Sequence, residues 1–163
     1  MSEIVPDDKD KILLKYACDL ATENVENGGG PFGCVITDSS RNIVSVGQNR
    51  VTIDNNPILH AEMCAIINAC KNKETFILSD CTLYTSCEPC PMCLSAIYWA
   101  RITKVFYGNS RSDAAEIGFD DSFIYEEVKK PIEERVIQMS QMDNTYAKKS
   151  FEKWREYDNR VDY

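Results

Sequence analysis

Four residues in two short runs have the types and spacing to do hydrolytic chemistry together. They are His60 and Glu62 in His60-Ala61-Glu62, and Cys90 and Cys93 in Cys90-Pro91-Met92-Cys93. Pro91 suits the first position of a helix, where its missing N–H is no loss, which leaves Cys90 as the cap. Residues three apart share a helical face, so the two sulfurs can converge on one ion. The partial positive charge of a helix N-terminus favours the thiolate, the form that binds zinc. Cys-x-x-Cys alone reads equally well as a redox motif or a structural zinc site. His60, the only histidine in the chain, narrows the choice. It rules out a Cys2His2 site within one chain, and a Cys3His site would need Cys87. One imidazole with two thiolates gives three ligands, and the open fourth position is what a catalytic zinc keeps for water.

Glu62 taken alone is a residue that complements the dipole of a helix start. Beside a zinc-activated water it can accept the water's proton, hand it to a ring nitrogen, and later protonate a leaving amine. Cys87 forms a second Cys-x-x-Cys with Cys90, but Pro89 separates it from the helix, so it is expected to be a packed neighbour and not a ligand. Cys18, Cys34, Cys64, Cys70 and Cys81 lie in apolar contexts and read as buried thiols.

Positioning these groups requires helices and strands in alternation. Leu13, Tyr16, Ala17, Leu20 and Ala21 recur at helical spacing within residues 8–27, and Gly28-Gly29-Gly30-Pro31 stops that helix. Residues 32–37 and 43–48 read as a hairpin. Helices are expected from His60 to about Asn72 and from Cys90 to about Arg101, with short strands at 81–86 and 104–107. An irregular acidic stretch follows, then a strand at 135–140 and a final helix over 145–158. The order predicts one domain over residues 1–163, an α/β/α three-layer sandwich with a central mixed sheet. Residues 145–163 are expected to be a C-terminal helix and tail that cover an active site. Hydrolysis by one activated water requires bulk water to be excluded, and Phe151, Trp154 and Tyr157 give the last helix apolar surface for docking.

The pair His60-x-Glu62 and Pro89-Cys90-x-x-Cys93 is similar to the signature of zinc nucleobase deaminases. Along nearly its whole length the chain resembles the small guanine deaminases of the cytidine-deaminase superfamily. The resemblance is carried by Gly30-Pro31-Phe32-Gly33, Gly47-Gln48-Asn49, the run from Tyr84 to Cys93, Ala96 to Arg101, Asp113 to Tyr125, Trp154 and Tyr163. It implies a cytidine-deaminase-like fold, one Zn2+ per chain held by His60, Cys90 and Cys93, and Glu62 as proton shuttle. It implies hydrolysis of guanine to xanthine and ammonia in purine salvage or catabolism. Asn49 matches the amide that hydrogen-bonds the base, Phe32 a pocket-lining ring, and Trp99 a wall of the site or an interface. Asp121 matches a site carboxylate whose acceptors suit guanine's N–H donors. The bland alternatives are a turn for Asn49, core packing for Phe32 and Trp99, and a helix cap at Asp120-Asp121. The resemblance further implies a homodimer, with Tyr163 closing either its own site or its partner's.

Net charge is −8, with 18 Lys+Arg against 26 Asp+Glu among 163 residues. That balance repels a phosphate backbone, so no nucleic-acid partner is expected. The charged start and the lack of any long apolar run predict a cytoplasmic chain with no membrane segment and reduced thiols. A guanosine or cytosine deaminase, a tRNA adenosine deaminase and a non-catalytic zinc module are the alternatives.

Overall fold

The computed structural model describes residues 4–163, so the first three residues of the charged start lie outside the described residues. The chain divides into two compact units, one running to Asp121 and the other Ser122–Tyr163. The first unit contains α1 (Asp8–Glu26), β1 (Gly33–Thr37), β2 (Ile43–Gln48), α2 (Ala61–Lys73), β3 (Thr82–Cys87), α3 (Pro91–Trp99), β4 (Lys104–Asn109) and α4 (Arg111–Glu116). The sheet order is β2-β1-β3-β4. β1 runs antiparallel to β2 and β3, whereas β3 and β4, joined through α3, are parallel.

Alternation along the strands makes the three layers, because successive side chains leave opposite faces of a pleated strand. Cys34, Ile36 and Leu83 pack against Ala61, Ala65, Ile66, Ala69 and Ile97 of α2 and α3. Val35 and Tyr84, one residue out of step, meet Leu13, Ala17 and Leu20 of α1 on the other face. The sheet is thus mixed and covered by helices on both sides. Two close approaches seat the helices. A Cβ on Gly33 would lie 2.3 Å from the Ala17 carbonyl of α1, and one on Gly47 would lie 2.1 Å from the Ala61 carbonyl of α2. Only glycine allows backbone to meet backbone at these points.

The α1 start is fixed by a capping box between Asp7 and Asp10, and the buried Tyr84 hydroxyl donates to Asp10 at 2.7 Å. The stretch after β4, expected to be irregular, instead opens with α4, whose cap Ser110 exchanges hydrogen bonds with Asp113.

The second unit holds α5 (Ser122–Lys129), a 3-10 turn at Ile132–Glu134 and α6 (Thr145–Glu156). Residues 135–140, expected to be a strand, are irregular. The Val136 N–H donates to the Glu127 carboxylate at 2.7 Å and the Arg135 guanidinium to the Lys130 carbonyl, so local side chains take the place of a ladder. Among the described residues of this unit none is buried.

Candidate metal centre and active site

His60 and Cys90 are the caps of α2 and α3. Both have extended backbone, and neither side chain makes the hydrogen bond a capping residue usually makes. Their side chains are instead turned toward each other. His60 Nδ1 lies 3.5 Å from Cys90 Sγ and 3.6 Å from Cys93 Sγ. All three ligand atoms fall within 4.8 Å of one another. A tetrahedral zinc with ordinary Zn–S and Zn–N bonds holds sulfur and nitrogen about 3.6 Å apart, so the observed separations fit that ion. The two sulfurs differ in their electrostatics. The Cys93 thiol and His60 stabilise the Cys90 thiolate and bring its pKa down to about 4. Cys93 is pushed up by sharing that hydrogen bond and by burial. Cys87 is not part of the cluster. It ends β3, its thiol contacts the Ser110 carbonyl at 3.6 Å, and burial raises its pKa to about 11.

Glu62, in the first turn of α2, is only 6% exposed. Its Oε1 accepts from the Thr85 hydroxyl at 3.1 Å, and its Oε2 lies 3.5 Å from Cys93 Sγ. One oxygen is therefore anchored to the sheet while the other faces the ligand set. Burial raises the pKa of the carboxyl, which suits a group that must hold a proton and give it up again.

Asn49 is buried just beyond β2. Its backbone N–H donates to the Phe32 carbonyl at 3.1 Å, and its Oδ1 accepts from the Val51 N–H at 3.2 Å. The Val51 bond fixes Oδ1 as the acceptor end of the amide, which leaves Nδ2 as its donor. The Phe32 and Phe119 rings meet edge to face at 5.0 Å, and Phe32 also packs against the core of the sheet and α2. Asp121 has its pKa raised by burial and by the negative charge of Cys90, so its carboxylate lies within electrostatic reach of the metal ligands. Trp99, by contrast, is 65% exposed at the far end of α3. Six residues past Cys93, it stands about 9 Å further along the helix axis. Tyr163 belongs to the second unit, where its ring meets Trp154 at 6.5 Å.

Residues 7–109 match the family described as the cytidine and deoxycytidylate deaminase zinc-binding region. The chain belongs to this deaminase family. A guanine deaminase of Bacillus subtilis is 54% identical over 152 residues, 93% of this deaminase and 97% of that protein. A crystal structure of a Bacillus subtilis guanine deaminase superposes with a TM-score of 0.91 at 52% identity, covering 94% of this chain and 98% of the other. A tRNA-specific adenosine deaminase of Haemophilus influenzae is 37% identical over 117 residues, 69% of this chain and 68% of that protein.

In the deaminase, His60, Cys90 and Cys93 would hold the zinc, which when bound acidifies a water for attack on an amino-bearing carbon. The chain's own contribution is to place Glu62 Oε2 beside the ligand set, 3.5 Å from Cys93 Sγ, where a carboxylate can take up and return a proton. Thr85 keeps the carboxylate in that orientation from the sheet side. Sequence reasoning passed over Thr85 because a threonine inside a strand has an ordinary reason to be there. Asn24, which holds the backbone around Asn49, was passed over too, near the end of a helix. Only the three-dimensional contact distinguishes either one.

Proposed function

We propose that the protein is a guanine aminohydrolase, consuming guanine and water and releasing xanthine and ammonia. The observation that carries this reading is how far the likeness extends. Similarity to the guanine deaminase spans 93% of the chain, well past the zinc region at 7–109, whereas similarity to the tRNA deaminase spans 69%. The segment beyond the zinc region contains Phe119 and Asp121. Asp121 supplies acceptors for the N1–H and amino donors of guanine, Asn49 Nδ2 supplies a donor for an acceptor on the ring, and Phe32 supplies a face for the base. The net charge of −8 supports a free base over a polyanion.

The protein acts as a homodimer in the cytoplasm, with residues 145–163 closing an active site and Tyr163 within that lid. Support comes from the second unit, which has no buried residue of its own and exposes Phe151, Tyr157 and Tyr163, so a partner surface is needed to cover them. All eight cysteines are free, as a reducing compartment allows. No helix among the described residues is long and apolar enough to cross a membrane.

The test is ammonia release from guanine, guanosine, adenine, cytosine, cytidine and tRNA with zinc-loaded protein. Guanine is expected to be the preferred substrate, with Glu62→Gln retaining metal and losing turnover. Preference for a nucleoside, a pyrimidine or tRNA overturns the substrate, and undiminished activity of the Gln variant overturns the proton shuttle.

A further inference from the structure

Asn24, near the end of α1, is 2% exposed, and both hydrogens of its amide are committed. Nδ2 donates to the Gly30 carbonyl at 2.8 Å and to the Asn49 carbonyl at 2.7 Å. Its backbone carbonyl accepts the Gly29 N–H at 2.8 Å. One residue of helix α1 thereby ties together the glycine loop that leads to Phe32 and the strand end that carries Asn49. The two segments also hold each other, since Phe32 N–H bonds the Gly30 carbonyl and Asn49 N–H bonds the Phe32 carbonyl. Space around the clamp is fully used. A Cβ on Gly29 would stand 2.3 Å from Asn24 Nδ2, although Gly29 itself has no left-handed backbone that demands glycine.

A side chain that holds two backbone carbonyls at fixed distance sets the position of whatever those backbones carry. From these contacts we infer that Asn24 is a positioning residue for base recognition. It does not touch the substrate. It fixes the Asn49 amide and the Phe32 ring relative to each other, so that the hydrogen-bonding edge and the stacking face reach the base together. This rests on the reading that Asn49 and Phe32 contact the base. The geometry explains why an asparagine is needed. Aspartate has the same shape but would turn an acceptor oxygen toward both carbonyls, and alanine would remove the side-chain donor from both, leaving the Gly30 carbonyl only the Phe32 N–H.

The experiment is a double-mutant cycle on zinc-loaded protein with steady-state kinetics on guanine. Asn24→Asp is expected to raise KM about tenfold, a binding change of about 1.4 kcal/mol, with zinc content retained and kcat changed far less. Asn49→Ala is expected to raise KM by itself. Adding Asn24→Asp to Asn49→Ala is expected to raise it much less than in the parent, because the positioned group is already gone. Gly29→Ala provides a second route. It drives a methyl into the clamp with Asn24 present, so it should reproduce the KM effect, and it should add nothing in an Asn24→Ala background, where there is room for it. If Asn24→Asp fails to fold, the Gly29 pair decides alone. Equal KM increases with and without Asn49, an unchanged KM, or a fall confined to kcat and zinc content each overturn the positioning role. If Asn49→Ala leaves KM for guanine unchanged, the base-recognition reading falls, and the role of Asn24 falls with it.

Discussion

Glu62 has two oxygens with different neighbours, and the difference sets how the carboxylate is held for the proposed proton shuttle. Oε1 is held by Thr85 at 3.1 Å while Oε2 faces the ligand set, so the carboxylate cannot turn without losing a buried hydrogen bond. Thr85→Val keeps the shape and removes the donor. A hydrogen bond to a charged buried group is worth about 1.5–3 kcal/mol, so kcat should fall about 10- to 100-fold. KM should change little, and Thr85→Ser should restore most of the rate; equal loss in the Ser and Val variants would show that packing and not the hydroxyl matters. Asp121 poses a different question, because Asp120 beside it can serve as a helix cap. If Asp121 accepts from guanine's donor edge, Asp121→Asn should lower kcat/KM for guanine more than Asp120→Asn does. Comparable small losses in both would assign the pair to capping. The metal ligands and Glu62 were legible in the sequence because their spacing at two helix starts has few other uses. Thr85 and Asn24 were not, because their work depends on partners 23 and 25 residues away, a separation that no local pattern encodes.

At the scale of elements, the site is built by seating two helix starts over one sheet, and close packing sets where they stop. Gly47 lets β2 approach the Ala61–Ala65 backbone, which puts His60 at the rim. Gly47→Ala places a methyl 2.1 Å from the Ala61 carbonyl, and α2 must retreat. Such overpacking costs about 1–3 kcal/mol. The expected outcome is a lower melting temperature together with weaker zinc retention, because His60 moves with the helix. A variant with normal zinc affinity would show that the α2 start is positioned by something other than this contact. The strands around it were legible as apolar runs, and the helix caps as histidine and cysteine at helix starts. Two elements differ from the sequence expectation for physical reasons. Helix α4 carries a capping box at Ser110 and Asp113, but it spans only Arg111–Glu116 and has too few apolar positions to show a helical period. Residues 135–140 carry the apolar pair Val136-Ile137 that suits a strand, yet both are exposed and Glu127 takes the Val136 N–H. A short apolar run reports side chains that want a partner and does not say whether one is present.

At the scale of the whole molecule, the two compact units divide the work unequally. The unit ending at Asp121 contains the ligand set, Glu62, Asn49 and Phe32, whereas Ser122–Tyr163 carries aromatic side chains with no core to bury them. An amphipathic segment of that kind gains stability by covering apolar surface elsewhere. Deamination in turn needs a site closed to bulk water, because exclusion of water strengthens every polar contact with developing charge. The proposed closing of a site by the tail would meet both requirements. Deleting Arg160–Tyr163 should leave zinc content and melting temperature near the parent's while lowering guanine turnover at least about tenfold, the scale expected when a closing segment is lost. Unchanged turnover would mean that the tail has no part in catalysis. Exchange between subunits makes a sharper prediction. A chain lacking Arg160–Tyr163 has an intact Glu62 but no lid, and a full-length Glu62→Gln chain has a lid but no shuttle. Co-expressed and purified as a mixed dimer, the two should regain activity if each tail closes its partner's site. The Gln chain then supplies the lid for the one functional carboxylate. If each tail closes its own site, the mixed dimer holds one lidless site and one without a proton carrier, and its turnover stays at the level of the two inactive parents.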